Sequence, residues 1–330
     1  MQGALARLAI LALALVPAGM AVAEPVGIDP LEARIEVTDA RRFARVFVES
    51  GGKPSAAALQ AGYLSGAGRG VEIFTPGRIQ GPDNLARAVA REPARYAHAI
   101  ETCLPIVDEL AGEMRAIYLG FQGLSPRRPL PAVHVVFGAG NSGGTAAADA
   151  QVLGLEVLCG PDTTAAQFRG TMREMFAHET VHSWQGTPTE KALADPLLYY
   201  ALLEGVPDLM ASLVTGSVPT PARDRWARPQ EAELWAQFQI DRETVRAGTR
   251  ADGSMTAEAR AARDRWFANY QKAPPGWPHE AGYWVGMRIA GAYLARATDK
   301  RAALDVLLEA DDPAAILAAS GYAGKDWQLP

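Results

Sequence analysis

The chain has 330 residues, with 37 acidic against 32 basic side chains, a formal net charge of -5 and only five histidines; 48% of it is hydrophobic and 21% charged. These proportions belong to a folded globular protein and exclude a disordered chain, a collagen-like repeat and a coiled coil. The mild negative charge argues against a nucleic-acid partner, which calls for a basic surface, and the length allows one large domain or two ordinary ones.

The first segment reads as a leader. Arg7 precedes an unbroken apolar run over residues 8–16, Pro17 and Gly19 end it, and Ala21 and Ala23 put small side chains where a signal peptidase reads. Cleavage is expected after Ala23. The apolar run is shorter than the ~20 residues of a membrane span, which disfavours the alternative, an uncleaved anchor, and no cysteine lies nearby for a lipoprotein. No later run reads as apolar enough to span, so no stable membrane insertion is expected after cleavage, and the mature chain is expected in the periplasm or outside the cell. Cys103 and Cys159 then lie in an oxidising compartment, where they either pair as a disulfide or stay buried as free thiols.

Residues 24–34 read as an irregular lead-in. Pro76, Gly77, Gly81 and Pro82 mark a turn-rich connector that closes a possible N-terminal subdomain at 24–82. Asp83 is a candidate N-cap for a helical stretch to Phe121, interrupted at Pro93 and Pro105. A Pro- and Arg-rich loop at 125–131 leads to a β-branched strand at 133–137, a glycine loop at 138–145 and a second strand at 151–158. Asp162 is expected to cap a helix over 163–185 that stops at Gly186, and Asp195-Pro196 to open the next helix through Leu203 and Glu204. The rest reads as mostly helical, with Trp226, Trp235 and Trp266 in its core. The expected fold class is α+β: a small sheet, then a mostly helical remainder, in one domain over 24–330.

The chemistry concentrates at His178-Glu179-Thr180-Val181-His182. Residues four apart share one helix face, so both imidazoles can reach one Zn2+, while Glu179 sits beside the ion as a general base for water. A catalytic zinc needs a third protein ligand. The HExxHxxGxxH form is excluded, because Gln185 and Pro188 stand where it requires glycine and histidine. Glu204 is the best placed carboxylate, with Glu190 and Asp195 as loop rivals. On a helix Asp208 would face the same way as Glu204 and could accept a ring N–H from His178 or His182. Gly205 and Pro207 work against a continuous helix there and suggest a kink.

The HExxH segment followed by Leu203-Glu-Gly-Val-Pro-Asp208 resembles the glutamate-zincins, as in thermolysin-type peptidases. Taken with Val135–Thr145, Gly154–Glu156 and His279–Ile289, it resembles more narrowly a bacterial family of unknown function described as predicted Zn-dependent proteases and related to gliding-motility lipoproteins. The resemblance spans about residues 85 to 325; Pro207 stands where that family would have alanine. It implies a zincin-like fold, one Zn2+ per chain held by His178, His182 and Glu204, and Glu179 as base. An edge strand ahead of the motif helix, here within 152–158, would lie along a peptide substrate. Asn141, Gly143 and Gly144 are candidates to present backbone N–H groups to it, or simply form a tight hairpin. Tyr283 and His279 are the leading candidates to stabilise the oxyanion, with Tyr199 and Tyr200 in reserve; His98 and His134 are given no role. The expectation is an exported zinc metallopeptidase acting on peptides or proteins. Its rivals are a catalytically idle, zinc-stapled binding or envelope protein and a metallohydrolase of a non-peptide amide.

Overall fold

The computed structural model describes residues 27–270 and 272–325. The leader and its cleavage point lie outside the described residues. The fold is mixed α/β, with one four-stranded sheet in the order β1-β2-β4-β3.

β2 (Ala132–Val136) runs parallel to β1 (Ile35–Glu36) on one side and to β4 (Ala150–Gly154) on the other; β3 (Gly144–Ala146) closes the far edge antiparallel to β4. Every residue of β4 is buried, as expected for a strand covered on both faces. The motif helix (Ala165–His182) covers one face, where Gln151 donates to the Thr180 hydroxyl at 2.8 Å. On the opposite face the helix Arg69–Phe74 packs closely, with Gly70 against His134 and Val136. His134 is therefore a half-buried strand residue under a helix, and burial lowers its pKa. The N-terminal part supplies β1 to this sheet and Phe43 to the core, stacked on Phe137 with centroids 4.4 Å apart.

Several boundaries differ from the sequence reading. The second strand stops at Gly154, and Leu155–Leu158 is a helical turn instead. This strand is also interior, so the free edge beside the motif helix belongs to β3, a strand hidden in the glycine-rich segment. The tight hairpin falls at Ala147 and Ala150, whose backbones bond each other (2.7 and 3.3 Å), and not at Gly143-Gly144. Pro93 and Pro105 do break the helical stretch, each opening a new segment (Pro93–His98, Leu104–Val107), because proline fits the first turn where its missing N–H is not needed. Cys103 and Cys159 form a disulfide, with Cα atoms 6.4 Å apart.

The helical remainder is organised around the helix Pro196–Thr215, which packs most extensively against Ala281–Arg296. The two meet backbone to backbone: a Cβ on Gly205 would collide with the Gly286–Met287 peptide, and one on Gly286 with the Ala201 carbonyl. Pro196–Thr215 is 20 residues long with a hydropathy of 1.4, so by length and composition it could cross a membrane, contrary to the sequence reading. Its most apolar stretch is 72% buried inside the protein, the pattern of a core helix. Pro207 does not break it; the helix runs through to Gly216, whose left-handed φ of 69° ends it. Of the three tryptophans, Trp266 is fully buried, while Trp226 and Trp235 are partly buried against the core.

Candidate metal centre

The motif helix begins at a capping box: the Thr164 hydroxyl accepts from Gln167 N at 3.3 Å, and the Gln167 side chain accepts from Thr164 N at 2.9 Å. The cap is therefore Thr164, two positions beyond the expected Asp162. From this start the helix delivers His178 and His182 one turn apart, with ring centroids 4.7 Å apart. Pro196–Thr215 brings Glu204 against them. The Nε2 atoms of the two histidines are 2.9 Å apart, and Glu204 Oε2 lies 3.2 Å from His182 Nε2 and 3.4 Å from His178 Nε2. Ligands at ~2.0–2.1 Å from one tetrahedral ion stand about 3.3 Å apart, so the spacing suits a single zinc.

The opposite ring nitrogens are occupied. His178 Nδ1 donates to Asp208 Oδ1 at 2.9 Å, and Asp208 Oδ2 accepts from Arg223 at 2.6 Å. His182 Nδ1 donates to Gln185 Oε1 at 2.6 Å. With a proton on each Nδ1, both Nε2 atoms present lone pairs to each other and to a carboxylate. Three acceptors facing one another in a buried space require a cation between them. A proton can serve: burial opposes charge on His178, but Asp208 and Glu204 outweigh it and raise its pKa to about 10. Burial likewise opposes charge on His182, and Glu204 lifts it despite His178. Burial pushes Glu204 up, but the two imidazoles hold it well below the usual carboxylate range. The donor set, two imidazoles and one carboxylate, could hold a metal ion and is one that zinc accepts. His98, Cys103 and Cys159 also lie close together, but the disulfide consumes both sulfurs.

Glu179 is buried beside this cluster, and burial raises its pKa against the pull of His182 and His178. Its carboxylate lies over the α-carbon of Gly144, where any Cβ would collide with it. Gly154 N bonds Gly143 O at 2.9 Å and Ala147 pairs with Ala150, so alternation along β3 turns Gly144 and Ala146 to the open edge. The Gly144 carbonyl accepts from Ser142 Oγ at 2.7 Å. Gly143 thus spends its carbonyl inside the sheet, while the Asn141 side chain donates to the Arg78 carbonyl at 3.2 Å.

Tyr283 stacks on His178 (5.8 Å, 10° between planes), with the Arg223 guanidinium 5.1 Å from its ring centre. Burial pushes its hydroxyl well above the ordinary range. His279 lies ahead of the helix Ala281–Arg296 and outside the cluster; it is exposed and meets Tyr270 edge-on at 5.2 Å. The helix starts after Glu280, whose φ is 58°, so the four-residue spacing does not align His279 with Tyr283. Tyr199 and Tyr200 pack on each other at 5.7 Å. The rival ligands go elsewhere: Glu190 is exposed, and Asp195 pairs with Arg242 at 2.5 Å.

Sequence reasoning missed Gln185, Arg223, Glu156 and Arg78. Glu156, fully buried, accepts from Gly138 N and Gly140 N at 3.0 Å each and shapes the glycine loop. Arg78 bonds Ser142 Oγ at 3.2 Å and lies in the field of Glu179. Gln185 left a local signal, three positions past His182, and Glu156 stood in the Gly154–Glu156 segment of the resemblance without a role assigned to it. No family model, no curated protein and no solved structure matches this chain.

Proposed function

We propose that this protein is a zinc-dependent metallohydrolase acting on peptides, with a zincin-like arrangement of sheet and motif helix. The observation that carries the reading is the convergence of His178 Nε2, His182 Nε2 and Glu204 Oε2 beside the buried carboxylate of Glu179. His178, His182 and Glu204 would hold one Zn2+. When bound, zinc supplies Lewis acidity to a substrate carbonyl and to water. Glu179, its proton affinity raised by burial, takes a proton from water and passes it to the leaving amine. Gly144 keeps this carboxylate in place by having no side chain.

The open edge of β3 supports a peptide over another amide. An extended chain can add to an open strand edge through backbone hydrogen bonds, and Gly144 on that edge lies against Glu179. Tyr283, stacked on His178, is the candidate donor to the oxyanion. The Cys103–Cys159 disulfide supports the proposed action in the periplasm or outside the cell.

The test is metal content of the purified protein together with chelator-sensitive turnover of a peptide library. Stoichiometric zinc is expected, with Glu179→Gln retaining it and losing about 10²–10⁴-fold in rate. Full turnover by that variant would remove Glu179 as the base. Zinc uptake with no hydrolysis by the wild-type chain would favour the zinc-stapled binding protein.

A further inference from the structure

Pro207 has no backbone N–H, so the carbonyl of Leu203, four residues earlier in the helix Pro196–Thr215, lacks its usual intrahelical donor. In its place the side-chain amide of Gln185 donates to the Leu203 carbonyl from Nε2 at 2.9 Å. A carbonyl only accepts, so this bond determines which end of the amide is which. Gln185 Oε1 must then be the atom 2.6 Å from His182 Nδ1, and Nδ1 must carry the proton. The lone pair is left on His182 Nε2, facing Glu204 and His178.

We infer that Pro207, the Leu203 carbonyl and Gln185 form a relay that sets the tautomer and orientation of His182 for metal. The inference rests on the zinc reading above. Pro207 is then a device and not a defect: it exposes the carbonyl next to ligand Glu204, and Gln185 ties that carbonyl to ligand His182. One amide thus links the two helices that carry the metal ligands. Gln185 and Pro207 are positioning residues, since neither touches the metal.

The experiment measures zinc affinity, by competition with a chromogenic chelator, beside the thermal midpoint of the metal-free protein. The chains compared are wild type, Pro207→Ala, Gln185→Leu and the double variant. Alanine at 207 restores the helical N–H to Leu203 and competes with Gln185. Pro207→Ala should weaken zinc by about 10-fold while leaving the midpoint unchanged or higher. Gln185 is half-buried at a helix end, so Gln185→Leu should fold and weaken zinc by about 10–100-fold. In a serial relay the double variant should be no weaker than Gln185→Leu alone. Pro207→Ala binding zinc as tightly as wild type, or losses that add in the double variant, would overturn the relay and leave the zinc reading intact. A wild-type chain that takes up no zinc would overturn the zinc reading itself.

Discussion

The two histidines of the centre are held by unlike partners. His178 leans on a charged, buried pair: Asp208 accepts its Nδ1 proton and is bonded in turn by Arg223, whose side chain is only 4% exposed. His182 leans on a neutral amide at the helix end, which draws its orientation from a backbone carbonyl. A buried ion pair is costly to break, because the surviving charge is left without a partner. A neutral hydrogen bond near solvent contributes only about 0.5–1.5 kcal/mol. The His178 side therefore couples the site to the stability of the fold, and the His182 side can be altered with little effect on folding. Both sides converge on Glu204, which belongs to neither.

The sharpest way to break the comparison is to remove what the two sides share. Glu204→Ala should abolish zinc binding, and stoichiometric zinc in that variant by metal analysis would refute the ligand assignment. Asp208→Ala should destabilise by about 3–5 kcal/mol in denaturant unfolding, because Arg223 is stranded, and should also weaken zinc by about 10–100-fold. Gln185→Leu should match it in zinc affinity while costing no more than about 1.5 kcal/mol. Equal stability losses in these two variants would erase the distinction.

Away from the histidines, Gly144→Ala should displace Glu179 and lower turnover without lowering zinc content, which steady-state kinetics on metal-loaded protein would show. A separate effect is on pH dependence. In the metal-free protein His178 is raised from 6.5 to about 10, so the native state holds its proton more tightly than the unfolded chain does. That contribution is whole below about pH 6.5 and lost as pH rises through about 10. The stability of the metal-free protein should fall across that window, and Asp208→Asn should flatten the slope.

Much of this centre was legible in the sequence, because its spacings are local. His178 and His182 share a helix face by the α-helical repeat, and the capped segment around them is helical on its own signals. The prolines at 93 and 105 mark breaks for the same reason. Glu204 was reached by elimination among nearby carboxylates, and only the packing of one helix on another brought its oxygen to the two rings.

What depended on the tertiary structure were the features with no local signature. β3 is three residues long and sits in a glycine-rich segment; it becomes a strand only because β4 lies beside it. Pro207 reads locally as a helix breaker, yet the helix continues because burial against Ala281–Arg296 offsets the lost hydrogen bond and Gln185 satisfies the freed carbonyl. The sequence by itself determined the helical pair of imidazoles and the carboxylate of Glu179 between them, since backbone periodicity places those groups. Which carboxylate completes the set, and what orients each ring, was decided by long-range packing, since those partners meet only once the core has closed.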